Sequence, residues 1–269
     1  MKHYKRALTI AGSDPSGGAG IQADLKTFSA CGCFGTSAIV AVVDENTVGV
    51  TGVHPVPVDF VTGQIKSVLD DIGTDAIKIG MLHSSELIRA IKETLARYEV
   101  KNIVLDPVMV ATSGDKLLQD EAIETLKNEL VPFARVITPN IPEAEVLLGR
   151  KINGQNDFSL VIRELSANRN VSVLLKAGHL KDDMLTDVFY NAETDEIIEL
   201  TSRRVHTKNT HGTGCTFSSA VAAFLAHGLS LNDAVYQAKD YMKSAITTGA
   251  EYEIGKGHGP VHHFFKYWK

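Results

Sequence analysis

Short runs of β-branched residues alternate with amphipathic stretches along almost all of the 269 residues. The strand-like runs are residues 6–11, 38–43, 76–80, 102–108, 135–138, 171–176, 187–191 and 197–201. The helix-like stretches are residues 20–30, 59–69, 85–98, 119–130, 142–148, 157–167, 214–227 and 231–249. Such alternation predicts parallel strands joined by crossover helices, except for a hairpin over residues 187–201. The sequence therefore predicts a single α/β domain over residues 1–269, with a mainly parallel sheet between two helix layers.

The composition argues against several classes of partner. The chain has 27 basic and 32 acidic residues, a net charge of −5 and no block of like charge, so we expect neither nucleic acid nor an anionic membrane as a partner. No apolar run is long enough for a transmembrane helix or a secretory signal. The three cysteines show no framework spacing, which predicts reduced thiols in a cytoplasmic protein.

Polar residues, and Met81 after the third strand, follow the carboxyl ends of most predicted strands. In chain order they are the glycine-rich loop over residues 12–20, Glu45, Met81, Asp106, Asn140 and Lys176. In open α/β sheets, ligands bind outside this edge. We therefore expect the chemistry of the protein to collect there.

The segment Asn209-Thr210-His211-Gly212-Thr213-Gly214-Cys215-Thr216 precedes an apolar helix-like stretch. Its two glycines permit a tight turn, so that the first amides of the helix and the helix dipole can form an anion site. Cys215 lies at the same helix start, where the dipole lowers the pKa of a thiol. We expect it to act as a base or as a ligand contact. A glycine-rich turn that only caps a core helix is the structural alternative.

The loop over residues 12–20 matches neither a P-loop nor a dinucleotide fingerprint. It is either a flexible turn that approaches a flat ligand or a structural turn alone. Asp24 follows in the next predicted helix. An exposed helix carboxylate is the default there, but if it faced the loop it could accept a hydrogen bond from a substrate hydroxyl.

Asp106 ends an apolar strand, and Glu143 lies in the first turn of a helix opened by Pro142. Together the two carboxylates could hold Mg²⁺, directly or through water. Simple helix capping is the alternative for Glu143. Lys176 ends another apolar strand, where it either reaches solvent or contacts a triphosphate.

With these residues in view, the chain resembles the bacterial hydroxymethylpyrimidine kinase/phosphomethylpyrimidine kinase family of the ribokinase-like superfamily. The matching stretches are residues 7–28, 78–82, 105–109, 138–144, Lys176 with residues 178–180, 209–216 and 259–264. They cover essentially the whole chain in order. The element Gly212-Thr213-Gly214-Cys215 is specific within the superfamily, whose sugar kinases carry Asp at the position of Cys215.

The resemblance implies a three-layer α/β/α sandwich that transfers the γ-phosphoryl group of ATP, with Mg²⁺, to 4-amino-5-hydroxymethyl-2-methylpyrimidine and then to its monophosphate. It implies a pyrimidine pocket of Gly12, Asp24, Glu45, Met81 and Val108. It places Asn140, Glu143, Lys176 and Thr210 at the nucleotide and its Mg²⁺, with Asp106 beside the metal. Gly212, Thr213 and Gly214 would form the anion hole, and Cys215 would lie next to the reacting hydroxyl. A homodimer is also implied.

The chain departs from this family at Glu45, where the family usually has Gln. An ionised Glu only accepts hydrogen bonds, whereas Gln also donates them. The bound ring nitrogen is then protonated, or burial raises the pKa of Glu45 and keeps it neutral. A pyridoxal or pyridoxine kinase is the nearest alternative function. A non-catalytic ligand-binding protein of the same fold and a nicotinamide-dependent dehydrogenase fit the motifs less well.

Overall fold

The protein is described by a computed structural model that covers residues 1–109, 118, 120–167, 170–180 and 182–268. The strands are β1 (Arg6–Ala11), β2 (Phe34–Ile39), β3 (Ala41–Asn46), β4 (Gly49–Pro55), β5 (Ala76–Ile79), β6 (Ile103–Leu105), β7 (Val136–Ile137), β8 (Ser172–Leu175), β9 (Met184–Asn191) and β10 (Glu196–Arg203). The α-helices are α1 (Gly20–Ala30), α2 (Val58–Asp71), α3 (Ser85–Leu95), α4 (Asp120–Thr125), α5 (Ile141–Leu148), α6 (Phe158–Ala167), α7 (Thr213–Ala226) and α8 (Leu231–Gly249).

The main sheet has eight strands in the order β10-β9-β8-β7-β6-β5-β1-β2. The six strands from β8 to β2 are parallel, and β9 runs antiparallel to both β8 and β10. The mainly parallel sheet and its late hairpin are thus confirmed. No helix in the described part of the chain is long and apolar enough to cross a bilayer.

Helices cover both faces of the main sheet. Because side chains alternate along a strand, Leu8 and Ile10 pack into one apolar cluster with helices α2 to α6, whereas Ala7 packs into another with α1, α7 and α8. Leu174 likewise faces the second cluster, while its neighbours on β8 face the first. The fold is therefore the three-layer α/β/α sandwich that the resemblance implied.

The predicted strand over residues 38–43 is wrong in one respect, because the chain leaves the main sheet at Val40. Strand β2 ends just before this residue, and β3 pairs only with β4, in a separate two-stranded sheet. Strand β4 was not predicted, since Gly49, Gly52 and Pro55 interrupt its apolar pattern. Strand β6 is shorter than predicted and ends at Leu105, so Asp106 follows directly at its carboxyl end. The predicted start of a helix at Gln119 lies outside the described residues.

Candidate active site

A cavity of about 870 Å³ opens at the carboxyl edge of the parallel strands. This volume suits a small-molecule site. The cavity is lined by all the predicted site residues except Asp24, namely Gly12, Glu45, Met81, Asp106, Val108, Asn140, Glu143, Lys176, Thr210, Gly212, Thr213, Gly214 and Cys215. The sheet edge therefore brings together residues that lie far apart in the sequence.

The tight turn before α7 is made by Gly212 alone. Gly212 is the N-cap residue of α7, and its φ of 73° lies in the left-handed region that favours glycine. A Cβ atom on it would overlap the carbonyl oxygen of Gly18. Gly214 is helical, so the sequence-based prediction that both glycines make the turn is wrong. Its lack of a side chain instead leaves room for Lys176, whose Nζ would lie 3.3 Å from an added Cβ.

Lys176 and Asp106 form an ion pair beside the start of α7. The Lys176 Nζ donates to Asp106 Oδ1 at 2.9 Å, and Thr138 and Ser218 donate to the same carboxylate. Burial alone would raise the pKa of Asp106, but the charges of Lys176 and Lys78 lower it. Asp106 is therefore ionised. The Lys176 ammonium and Asp106 Oδ2 both lie close to the first turn of α7, 3.3 and 3.5 Å from a Cβ added at Gly214.

Glu143 is only 4% exposed and has two structural roles. Its Oε2 accepts from the Asn140 backbone N–H at 2.8 Å, while Asn140 Oδ1 accepts from the Glu143 backbone N–H at 2.9 Å. This reciprocal capping box begins α5. Burial, with Asp106 as a lesser cause, raises the pKa of Glu143 to about 7. This buried carboxyl lies on the cavity wall, and its pKa is raised in spite of the nearby Lys176, so it fits a cation.

The fit to Mg²⁺ differs between the two predicted carboxylates. Glu143 has one oxygen that accepts no hydrogen bond from the described residues. Asp106 has both oxygens engaged, one by Lys176 and Thr138 and the other by Ser218. The donor set therefore suits an ion that keeps much of its water, with Glu143 nearer to it and Asp106 reached through water.

Cys215 is not the acidic thiol that its position at a helix start predicts. Burial raises its pKa to about 11, and the nearby carboxylates of Asp24 and Asp106 act in the same direction. The charge of Lys78 opposes them without reversing the shift. The pKa values of Cys31 and Cys33 are also raised by burial, to about 12 and about 11. The prediction of a lowered pKa at Cys215 is wrong because desolvation outweighs the dipole.

Asp24 is neither exposed nor part of the cavity wall. It is fully buried and accepts hydrogen bonds from Thr9 and Ser219, at 2.6 and 2.7 Å. Both of its oxygens also contact the buried Lys78 ammonium, at 2.9 and 2.8 Å. The expected contact between Asp24 and a substrate hydroxyl is therefore wrong, since its oxygens are occupied. Asp24 instead positions Lys78, which does line the cavity.

Sequence reasoning also missed a pair that joins the glycine loop to the α7 turn. Asp14 is 1% exposed, and its Oδ2 lies 2.9 Å from His211 Nε2. The Asp14 carboxylate also accepts from the backbone N–H groups of Ser16, Gly18 and Ala19. Burial opposes ionisation, but these bonds lower the pKa of Asp14 and Asp14 raises that of His211. The signal available in the sequence was the turn-forming Asp14-Pro15-Ser16.

Glu45 completes this end of the cavity. Its Oε1 lies 3.9 Å from His211 Nε2, beyond hydrogen-bond distance, and its side chain is 18% exposed. Glu45, Asp14 and His211 each place one possible metal-ligand atom within 4.8 Å of the others. Because Asp14 Oδ2 already accepts several hydrogen bonds, including the one to His211, we assign these residues to an ion pair rather than to a metal.

The same end of the cavity also has an apolar wall. A Cβ on Gly12 would lie 2.9 Å from Met81 Cε, so a larger residue there would displace the flexible end of Met81. Val43, Met81 and Val108 also line the cavity. Glu45 and these apolar side chains therefore line the same cavity.

Comparison with known proteins agrees with this geometry. Residues 14–262 match the family model described as phosphomethylpyrimidine kinase. The chain is 48% identical to the hydroxymethylpyrimidine/phosphomethylpyrimidine kinase of Rhizobium meliloti (strain 1021), over 98% of both chains. A solved phosphomethylpyrimidine kinase from Clostridium difficile 630 is 43% identical, with a TM-score of 0.78 over 90% of this chain and 99% of that one. An ADP complex of Bacillus subtilis pyridoxal kinase is 38% identical, with a TM-score of 0.88 over 97% of this chain and 98% of that one.

These matches extend over most of the chain. The ribokinase-like fold is shared with both solved kinases. The chain therefore belongs to the phosphomethylpyrimidine kinase family.

Proposed function

We propose that the protein transfers the γ-phosphoryl group of ATP to 4-amino-5-hydroxymethyl-2-methylpyrimidine, and then phosphorylates the resulting monophosphate. The observation that carries this proposal is the arrangement of one cavity. The cavity brings the α7 start and Lys176, which would bind the phosphates, together with Glu45 and its apolar neighbours, which would bind the ring. The whole chain acts as one kinase domain, because the strands of its single main sheet are spread along the chain between Arg6 and Arg203.

Phosphoryl transfer needs positioning and charge stabilisation more than covalent chemistry. The amides at Gly212, Thr213 and Gly214 would stabilise the charge on the transferring group. Lys176 adds a cation beside them, held in place by Asp106. Asn140 and Thr210 would contact the nucleotide. Mg²⁺, when bound, would neutralise phosphate charge, with Glu143 as its nearest carboxylate.

A coupled assay of ADP release with the aminopyrimidine tests the function directly. We expect kcat/KM for the aminopyrimidine to exceed that for pyridoxal, since an ionised or shared-proton carboxyl at Glu45 suits an amino group better than a phenolic oxygen. Pyridoxal phosphorylation is the second candidate function, because the solved pyridoxal kinase shares the fold at 38% identity. If kcat/KM is higher for pyridoxal than for the aminopyrimidine, pyridoxal phosphorylation becomes the preferred function.

The substitution Glu143→Gln separates metal binding from helix capping. We expect the Mg²⁺ concentration for half-maximal activity to rise by about tenfold or more, the usual range for losing one supporting carboxylate. The stability should barely change, because Gln also completes a capping box. Titration with Mg²⁺ at fixed ATP gives the first quantity, and urea unfolding gives the second.

The matched control is Glu145→Gln on the same helix, whose side chain bonds to Lys151 and Ile152 and does not line the cavity. It should leave the Mg²⁺ requirement unchanged. If Glu143→Gln also leaves it unchanged, Glu143 only caps the helix.

The raised pKa of Cys215 makes its reactivity a second test. We propose that Cys215 contacts the reacting hydroxyl as a neutral thiol at neutral pH. Because only the thiolate reacts, its alkylation should speed up by about tenfold per pH unit from pH 7 to pH 9. Mass spectrometry of the alkylated peptide measures this rate, with the buried Cys33 as an internal reference. A rate that levels off below pH 9 would mean that the thiol is acidic after all.

We also propose a homodimer in the cytoplasm. Its support is the pair of exposed valines on the β3–β4 hairpin, Val42 and Val48, which are 53% and 72% exposed and do not line the cavity. The three cysteines are free, as in a reducing compartment. Light scattering of the purified protein would give its mass in solution.

A further inference from the structure

Glu45 is a carboxyl that faces the cavity with its hydrogen-bonding capacity unused. Along β3, Ala41 and Val43 are buried while Val42 and Asp44 are exposed, so Glu45 falls on the inward side. The pairing of β3 with β4 shifts register between Asp44 and Glu45, a bulge of the kind that re-aims a side chain next to a site. Within the described residues, the Glu45 carboxyl accepts no hydrogen bond. Its nearest cationic atom is His211 Nε2, 3.9 Å from Glu45 Oε1.

The surroundings of Glu45 disfavour its negative charge. Burial raises the pKa of Glu45, the nearby Asp14 carboxylate raises it further, and His211 opposes both. His211 is engaged by Asp14 at 2.9 Å, so its charge is largely balanced there. The segment packed on Thr47 adds the exposed Lys256 and His258, whose ring bonds to the carbonyl of Lys208. Glu45 is therefore an anion that gains from taking up a proton or a cationic partner.

An aminopyrimidine provides the complementary edge. Its amino group donates one hydrogen bond, and the adjacent ring nitrogen accepts one when neutral or donates one when protonated. An ionised Glu45 paired with a neutral ring would set two lone pairs against each other at the second contact. One additional proton on that contact, on either atom, makes both hydrogen bonds and removes a buried uncompensated charge.

Resting on the proposed function, we propose that Glu45 makes pyrimidine binding proton-linked. The free Glu45 carboxylate, the neutral aminopyrimidine and one proton from solvent combine into a complex. In this complex the Glu45 carboxyl and the ring nitrogen share that proton. No covalent bond forms or breaks in this step. The complex holds the proton more tightly than free Glu45 does. Affinity is therefore full at low pH and is lost as the pH rises above the pKa of free Glu45.

Calorimetry measures the number of protons taken up when the pyrimidine binds. The aminopyrimidine is titrated into the protein at pH 8.5 in buffers of different ionisation enthalpy. We expect an uptake of about one proton per pyrimidine in the unaltered protein and about none in Glu45→Gln, whose amide already donates and accepts. At saturating ATP, KM of the unaltered protein should rise from pH 7.5 to pH 8.5, by at most about tenfold for one linked proton, with little change in kcat, and should stay flat in Glu45→Gln.

Asp44→Asn is the matched control, because it removes the same charge from the same strand on the exposed side. It should keep the uptake of about one proton.

The possible outcomes separate this inference from the proposed function. No uptake in the unaltered protein, or equal uptake in Glu45→Gln, overturns the inference while pyrimidine phosphorylation stands. If neither protein binds or phosphorylates the pyrimidine, the proposed function itself has failed.

Discussion

Turnover in Gly212→Ala is expected to fall by at least about 100-fold, the scale of losing one preorganised donor at a charged transition state. Alanine at this position would need a left-handed backbone, with φ near 73°, and its Cβ would overlap the carbonyl of Gly18. The turn must then open and redirect the first amides of α7. Steady-state kcat measures the loss, and calorimetry of ATP binding should show a much smaller one.

Gly228 offers a close control at the other end of the same helix. It has a φ of 87°, but no heavy atom lies within 4 Å of an added Cβ. Gly228→Ala should cost about 1–2 kcal/mol of unfolding free energy and leave kcat unchanged, because it bears the backbone strain without the collision. If Gly212→Ala behaves in the same way, its turn has no special part in phosphoryl transfer.

Lys78→Met is expected to lose about 3–5 kcal/mol of unfolding free energy, the usual cost of removing one partner from a buried ion pair. Lys78 and Asp24 are both fully buried, and the ammonium contacts both carboxylate oxygens. Without the lysine, the Asp24 charge keeps only the hydroxyls of Thr9 and Ser219. Urea unfolding measures the loss.

The double variant Asp24→Asn/Lys78→Met removes both charges and should recover at least half of that loss. Arg89→Met, which breaks a half-exposed pair with Glu129, is the control and should cost much less. A double variant no more stable than Lys78→Met would mean that the pair matters for its shape rather than for its charge.

The sequence predicted those elements whose ends carry local signals. Helix α8 begins and ends where predicted, and Ser230 caps its start through the backbone N–H of Asp233. Helix α1 also has the predicted bounds. The break at Val40 was not visible, since an apolar run does not reveal which sheet its second half joins. Strand β3 is the example, because it continues the apolar run of β2 but pairs only with β4.

Most of the cavity wall could be predicted because parallel strands end at one edge. What could not be predicted is pairing over long sequence separations. Asp24 meets Lys78 and Asp14 meets His211, 54 and 197 residues apart. The thiol of Cys215 was misjudged for a related reason. The dipole at a helix start is a local property, whereas desolvation depends on everything packed around it.

The β3–β4 hairpin gives the protein an uneven capacity for evolutionary change. Its strands pair only with each other, so substitutions on it leave the ladder of the main sheet intact. Glu45 is on this hairpin, whereas Lys176 and the α7 turn belong to the main sandwich. On the proposed function, Glu45 contacts the ring and the main sandwich binds the phosphates, so descendants of such a chain can acquire a new ring preference through a few changes in the hairpin while they keep the phosphate-binding residues. Vitamin kinases with different substrates and one shared fold are the expected result.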